Sequence, residues 1–291
     1  MNPRSHRIIH RAVSFCCVLI FVATLGYASP TSYLGFDAND YPGDAALPSL
    51  KRSFSFSGYW LNIPPGADAN GWVGKRSALL KNGFGFLVLF NGRTISQLKS
   101  LGNAAEAGKV DGQSAAALAR QEGFHSGAVI FVDQEEGGRM TDDQNAYIFA
   151  WVDAVIAGGF RAGIYCSGMP AKEEKGKTIV TADDIRAHAG ARKISYFVYN
   201  DACPPSSGCV YSKNPPPPSV SGVPYASVWQ FAQSPRRHEF TKRCAATYNP
   251  DGNCYAPGTG PGSVNLDLNS SLSADPSNGK WLTNDFRSPP W

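Results

Sequence analysis

The chain has 291 residues, of which 43% are hydrophobic, 12% aromatic and 17% charged, a composition typical of a folded globular protein. The formal charge of +4 depends on residues 1–28, which carry three arginines and no acid, while the rest holds 24 basic and 23 acidic residues. Nucleic acid is therefore not an expected partner, because the chain after residue 28 is nearly neutral and has no Lys/Arg cluster.

Residues 1–28 have the pattern of an export signal. Basic residues from Arg4 to Arg11 precede an apolar run over 15–25, which is short for a bilayer span, and Gly26 to Ala28 offer small residues for cleavage. The alternative is a retained anchor. We expect cleavage, one domain over residues 29–291, no membrane contact afterwards, and a secreted, periplasmic or cell-envelope location.

Five cysteines follow this signal, as an oxidising compartment permits. Cys203 and Cys209 enclose one short loop, and Cys244 and Cys254 enclose another, so their spacing predicts these two disulfides. Cys166 lies in an apolar run and is expected to be a free, buried thiol. Zinc binding is disfavoured because no CxxC spacing and no histidine pair is present.

Eight short apolar runs predict strands that are buried on both faces. They are Tyr33–Asp37, Gly58–Asn62, Gly85–Phe90, Ala128–Asp133, Ala162–Cys166, Ser195–Tyr199, Ala226–Phe231 and Val264–Leu268. Helices are predicted between them, over Trp72–Lys81, Gly112–Glu122, Asp142–Ala157 and Ala182–Ala189. We expect Thr141 to cap the third helix and Thr181 to open the fourth in a capping box.

The alternation of strands and helices predicts the α/β class and a (β/α)8 barrel of the TIM type. Residues 201–225 and 232–263 are rich in Pro, Gly and Cys and lack a helical pattern. We therefore expect an irregular barrel, with helices reduced or missing in its last third.

Carboxylates stand at several predicted strand ends. Asp37 ends the first strand, Asp133 ends the fourth with Glu135 two residues later, and Asp267 lies near the end of the eighth. Active sites of such barrels form where the strands end, and crowded carboxylates favour a protonated general acid. A single D-x-E motif is more often a turn cap or an ion pair, but three strand ends supplying carboxylates favour a site.

The order of short motifs resembles a known family. The motifs are Gly35-Phe-Asp37, the segment 35–44 (GFDANDYPGD), the segment 58–62 (GYWLN), Asp133-Gln-Glu135, Gly163-Ile-Tyr165, Trp229-Gln230 and Leu266-Asp-Leu-Asn269. Together they look like family-25 glycoside hydrolases of the lysozyme type, and more closely like the glycoside-hydrolase-like domain of unknown function 1906. The resemblance covers roughly residues 33–270.

This resemblance implies an irregular barrel with Glu135 as general acid and Asp133 assisting the N-acetyl group of the substrate. It also implies that Asp37 and Asp267 belong to the site. Two features depart from family-25 enzymes: the lysine segment of the second strand is absent, and Glu136 adds an acid beside the pair. Activity is not inherited with a fold.

Aromatic residues on the predicted strands could bind sugar faces. We expect Tyr59, Trp60, Tyr165 and Trp229 to bind substrate, with Tyr165 and Trp229 at the mouth of the barrel. About half of such side chains should instead point outward, because strand residues alternate between faces.

The sequence thus predicts a monomeric, exported glycosidase that acts on peptidoglycan or a related polysaccharide, without a cofactor or metal. Only three histidines follow the signal, and HxH, HExxH and GxSxG motifs are absent. The alternatives are a non-catalytic glycan-binding barrel and a structural envelope protein without an acidic cleft.

Overall fold

The computed structural model describes residues 32–280, so the predicted signal over residues 1–28 lies outside the described residues. Eight strands in this range close into a barrel, in the order β1-β10-β9-β8-β5-β4-β3-β2 around its wall. In chain order the strands are β1 (Tyr33–Asp37), β2 (Phe56–Trp60), β3 (Gly85–Asn91), β4 (Val129–Asp133), β5 (Arg161–Ser167), β6 (Pro170–Lys172), β7 (Thr178–Val180), β8 (Ile194–Tyr199), β9 (Val228–Ala232) and β10 (Asp267–Ser271). Strands β6 and β7 form a separate hairpin. The predicted α/β barrel is confirmed.

The last barrel strand runs against its neighbours. Strand β10 pairs antiparallel with both β1 and β9, whereas β1 pairs parallel with β2 and β8 pairs parallel with β9. It also begins three residues later than the predicted eighth strand. Its first residue, Asp267, therefore lies in register with Asp37, the last residue of β1.

Six α-helices accompany the strands among the described residues. They are α1 (Leu47–Lys51), α2 (Arg76–Lys81), α3 (Ile95–Leu101), α4 (Ala104–Gln121), α5 (Asp142–Ala157) and α6 (Thr181–His188). The predicted bounds of α5 are confirmed, while α2 is shorter than predicted, α4 begins eight residues earlier, and α3 was not predicted. Beyond α6, residues 189–280 contain no α-helix and only short 3-10 segments besides the strands, which confirms the loss of helices in the last third.

The two predicted helix caps have different outcomes. Thr141 caps α5 in a complete capping box with Gln144, as expected. The capping box predicted at Thr181 is wrong, because the helix is preceded by Val180 and lacks a side-chain cap. The Thr181 hydroxyl instead accepts from the Gly138 amide at 2.8 Å and donates to the Gly138 carbonyl at 2.9 Å. This exchange fixes the segment after β4 to the start of α6.

The predicted disulfide pairing is wrong. Cys203 is bonded to Cys244 and Cys209 to Cys254, with Cα atoms 5.9 and 5.6 Å apart. The two cysteine-bearing connections pack on each other, as shown by the Cys209 amide donating to the Thr247 hydroxyl at 2.9 Å. Each disulfide therefore joins the two connections, instead of closing a loop within one.

Cys166 is free and buried in β5, as predicted. The barrel interior and the layer outside it share one continuous apolar core within residues 32–280. Each helix described between residues 32 and 280 is too short or too polar for a membrane span. The domain boundaries at residues 29 and 291 stay a prediction.

Candidate active site

The four carboxyl side chains singled out in the sequence line one cavity of about 280 Å³. Asp37 and Asp133 end β1 and β4, and Glu135 follows β4 by two residues. Asp267 lies at the same mouth of the barrel, but its strand runs in the opposite direction from the predicted one. It begins an antiparallel strand, and the start of that strand lies beside the end of β1. We call this space the carboxyl cavity.

The Gln230 amide joins two of the four carboxyls. Its Nε2 donates to Asp37 Oδ1 at 3.2 Å and to Asp267 Oδ2 at 3.1 Å. Asn269 Nδ2 also donates to Asp37 Oδ1, at 2.7 Å. The Tyr165 hydroxyl donates to Gln230 Oε1 at 2.6 Å, which fixes the orientation of the amide. Asp37 and Asp267 are therefore held in place by hydrogen bonds.

Burial sets the protonation of this pair. It raises the pKa of Asp37 to about 6, although the hydrogen bonds from Asn269 and Gln230 act in the opposite direction. Burial also raises the pKa of Asp267, with the nearby Asp37 charge as a further cause. The backbone amide of Ser234 donates to Asp267 Oδ1 at 2.6 Å and favours its ionised form.

Asp133 is buried without equivalent partners. The residue is 7% exposed, and its Oδ1 lacks a hydrogen-bond partner among the described residues. Burial raises the pKa of this carboxyl well above its ordinary value, and the charges of Glu135 and Asp37 raise it further. A buried acceptor without a donor is costly, so the Asp133 carboxyl is suited to a ligand that brings an N–H or O–H group.

Glu135 stands at the rim of the carboxyl cavity and keeps contact with solvent. Partial burial on its protein side raises its pKa, as does the charge of the adjacent Glu136. The segment is held by the Tyr199 hydroxyl, which donates to the Glu135 carbonyl at 3.3 Å, and by the Gln134 amide, which donates to the Tyr165 carbonyl at 2.9 Å. A protonated carboxyl that is both accessible and held by its backbone can act as a general acid.

The neighbouring acid, Glu136, is directed to another place. Its carboxylate accepts the backbone amide of Ile95, the first residue of α3, at 2.9 and 3.1 Å. Gln144 Nε2 also donates to it, at 3.1 Å. A carboxylate is favoured at a helix N-terminus, so Glu136 anchors α3 and does not line the carboxyl cavity.

Two of the four predicted sugar-binding aromatics line the carboxyl cavity. Trp60 and Tyr165 both do so, and the Trp60 indole donates to the Ala38 carbonyl at 3.1 Å. Leu89 and Phe197 complete an apolar part of the wall that sequence reasoning did not assign.

The predictions for Tyr59 and Trp229 are wrong. Tyr59 is fully buried on the outside of the barrel, where its ring packs against Phe124 and its hydroxyl donates to Glu122. Trp229 is also fully buried, and its indole donates to the Asn200 carbonyl at 2.9 Å. Each residue precedes one that lines the carboxyl cavity, so the alternation of strand side chains turns it outward.

The polar residues missed in the sequence are amides. Gln230 and Asn269 both lay in motifs that carried the family resemblance, but no role was assigned to them. Gln233 also lines the carboxyl cavity, and its Nε2 donates to Gln230 Oε1 at 2.9 Å. A signal was available for Asn269, which lies two residues from Asp267, because residue i+2 of a strand shares the face of residue i.

Within residues 32–280, no three His, Cys, Asp or Glu side chains are arranged to hold a metal ion.

A match to a protein-family model supports the family resemblance found in the sequence. Residues 70–204, a little under half of the chain, match the model of the Rv2525c-like, glycoside hydrolase-like domain. The resemblance to a glycoside hydrolase-like domain is thereby confirmed. A comparison with curated proteins found no match.

Solved structures of three bacterial or phage proteins are similar in fold. The Mycobacterium tuberculosis Tat-secreted protein Rv2525c, in complex with HEPES, is 16% identical with a TM-score of 0.48 over 86% of this chain and 98% of that one. The catalytic domain of endolysin ply40, from bacteriophage P40 of Listeria monocytogenes, is 15% identical with the same TM-score and the same coverage. The Clostridium perfringens spore cortex lytic enzyme SleM is 13% identical with a TM-score of 0.47, over 84% of this chain and 69% of that one. These are distant likenesses in fold.

Proposed function

With a glycoside hydrolase-like domain as the premise, we propose that the carboxyl cavity hydrolyses glycosidic bonds of peptidoglycan or a related cell-wall polysaccharide. One observation carries this proposal: an accessible carboxyl with a raised pKa, Glu135, stands beside a buried carboxyl without a partner, Asp133. Glycosidases use a pair of carboxyl groups beside the scissile bond, one of which donates a proton.

In the proposed reaction, Glu135 gives its proton to the glycosidic oxygen as the bond to the anomeric carbon breaks. The leaving sugar departs as an alcohol. A water molecule then supplies the hydroxyl at the anomeric carbon and gives its other proton back to Glu135. The family resemblance assigns Asp133 to assist the substrate's own N-acetyl group. The free Oδ1 of Asp133 is suited to accept the N–H of such a group.

The other residues of the carboxyl cavity shape the site. Asp37, whose pKa of about 6 leaves it largely ionised at neutral pH, contributes negative charge that favours the positively charged sugar formed as the bond breaks, and Gln230 holds Asp267 beside it. Trp60 and Tyr165 provide rings against which a sugar can pack. Neither pair takes part in proton transfer in this proposal.

Location and partners belong to the same proposal. Residues 1–28 direct export and are removed, and the mature chain acts as a monomer in the periplasm, in the cell envelope or outside the cell. Two disulfides are consistent with an oxidising compartment. The polysaccharide is the only partner required.

A product assay tests this function. Purified cell wall and soluble chitin-type oligomers are incubated with the protein, and new reducing ends are identified by mass spectrometry. We expect cleavage by the wild type and by Glu106→Gln, which changes an exposed acid on α4 in the same way. Glu135→Gln should bind glycan but cleave it far more slowly than the wild type. Binding without cleavage by the wild type would instead identify a non-catalytic glycan-binding barrel.

A further inference from the structure

The carboxyl cavity is unusual in the balance of charge around it. Four of its lining residues are acids, and none of the described residues that line it is Lys, Arg or His. A cation nearby, Arg237, is already used: it is paired with the buried Asp201 and packs over the Tyr199 ring at 5.1 Å. The negative charge of the cavity therefore has no matching positive charge from the residues that line it.

The hydrogen bonds show which acid needs a donor. The donors within the site are directed at Asp37 and Asp267, through Gln230, Asn269 and the Ser234 amide. Asp133 Oδ1, in a residue that is 93% buried, receives none from the described residues. A ligand that brings both a donor and a positive charge would satisfy this oxygen and reduce the repulsion among the four acids.

The size and walls of the cavity limit the choice of cation. A volume of about 280 Å³ lies just below the roughly 300–1,000 Å³ that is usual for ligand sites. Trp60 and Tyr165 line it, and aromatic rings attract cations as well as sugar faces. A sugar with a positively charged substituent fits both requirements.

We propose that the carboxyl cavity binds amino sugars with a free, protonated amine more tightly than the same sugars in N-acetylated form. The ligand class is a partly N-deacetylated glycan, whose ammonium group donates to Asp133 Oδ1. An acetamido group offers that oxygen one neutral N–H, whereas an ammonium offers three charged ones. The inference rests on the proposed function for its glycan ligand, but it concerns binding alone.

The size of the preference follows from the type of hydrogen bond. A hydrogen bond in which the donor or the acceptor is charged is roughly twice as strong as one between neutral groups. We therefore expect the free-amine ligand to bind about tenfold more tightly.

Calorimetric titration tests this directly. The wild-type protein is titrated, at low ionic strength and neutral pH, with a glucosamine tetramer, an N-acetylglucosamine tetramer and tetralysine. We expect the glucosamine tetramer to bind about tenfold more tightly than the acetylated one, and tetralysine to bind more weakly than both. In Asp133→Asn the two sugars should bind within about threefold of each other, while Glu106→Gln keeps the wild-type ratio. Circular dichroism establishes that both variants are folded.

Each other result has a definite meaning. The inference is overturned if the two sugars bind equally, if the acetylated sugar binds more tightly, or if Asp133→Asn retains the preference. Tetralysine binding as tightly as glucosamine would reduce it to nonspecific attraction and overturn it as well. The proposed hydrolysis is judged separately. A free-amine preference without cleavage would contradict the proposed hydrolase activity and support this inference. Cleavage without the preference would support the hydrolase activity and overturn this inference.

Discussion

At the residue scale, hydrogen bonds divide the four acids of the carboxyl cavity into two pairs. Asp37 and Asp267 share the Gln230 amide, which holds them in one orientation. The pKa values of all four acids are raised, but only Asp133 keeps an oxygen free for a ligand, and Glu135 keeps contact with solvent. The chemistry is therefore assigned to the second pair, and the first pair sets the field in which it occurs.

The first prediction concerns the proton donor. Glu135→Gln preserves the shape of the side chain but removes its proton, so turnover should fall by about 10²–10⁴-fold while glycan affinity stays near the wild-type value. Steady-state kinetics and titration with the same oligomer measure the two quantities. Full activity in Glu135→Gln would exclude this residue as the acid.

The second prediction uses the acid beside it. The Glu136 charge raises the pKa of Glu135, so Glu136→Gln should lower that pKa. A general acid works while it is protonated, so the alkaline limb of the pH–rate profile should move to lower pH, with little change in the maximal rate. Profiles of wild type, Glu136→Gln and Glu106→Gln make the comparison. An unmoved limb in Glu136→Gln would show that Glu135 does not control it.

The third prediction links the site to stability. Because the pKa of Asp133 is higher in the folded chain, the folded state binds more protons than the unfolded one above the ordinary carboxyl pKa of about 4. Stability due to this group therefore falls as the pH rises from about 4 towards neutrality. Asp133→Asn should raise the melting temperature at neutral pH by about 2–4 °C, for about 1 kcal/mol, and by less near pH 4. Calorimetry that finds the larger gain at acid pH would contradict the sign.

At the element scale, most strands could be predicted because they are buried on both faces and read as apolar runs. The last strand could not be placed correctly, since β10 buries Asn269, Ser270 and Ser271. A strand with polar buried residues carries no hydropathy signal, and its antiparallel direction is a property of the pairing. Asp267 was nevertheless chosen correctly as a residue near the mouth, although the predicted reason was wrong.

Helix α4 shows a second limit of local reasoning. Its first half contains Gly108 and Gly112, which weaken a helix in isolation, and the predicted helix began only at Gly112. In the fold these glycines let α4 lie against the backbone of α5: a Cβ at Gly108 would meet the Tyr147 carbonyl at 2.1 Å. Packing between the two helices explains why the glycines are there.

The fourth prediction follows from this contact. Gly108→Ala should destabilise the protein by about 1–3 kcal/mol, because the overlap with a backbone carbonyl exceeds the gain in helix propensity of about 1 kcal/mol. Lys109→Ala, on the exposed neighbouring position, should change stability by about 0.5 kcal/mol or less. Denaturant unfolding compares the two. Stabilisation by Gly108→Ala would show that α4 and α5 can move apart without a loss in the free energy of unfolding.

At the scale of the whole molecule, the two connections on either side of β9 replace the missing helices of the last third. Residues 200–227 and 233–266 contain no α-helix, yet they are joined to each other by both disulfides. Cysteine spacing could not reveal this pairing, because it depends on which loops meet in space. The barrel could be predicted from its strands, whereas the pairing of the loops over it could not.

The last prediction concerns these cross-links. Cys203–Cys244 and Cys209–Cys254 span 41 and 45 residues of chain. Loops of this length correspond to about 4 kcal/mol of stabilisation each in the chain-entropy treatment, with native-state strain and denatured-state structure reducing it. The double substitution Cys209→Ser/Cys254→Ser should lower stability by about 2–4 kcal/mol and leave the barrel strands protected from hydrogen exchange, because the loops, and not the barrel, lose their restraint.

Non-reducing peptide mapping of the wild type should join Cys203 to Cys244 and Cys209 to Cys254, with Cys166 alkylated only after unfolding, since it is buried in β5. A map that joined Cys203 to Cys209 would support the local pairing expected from sequence and would contradict the cross-links between the two connections.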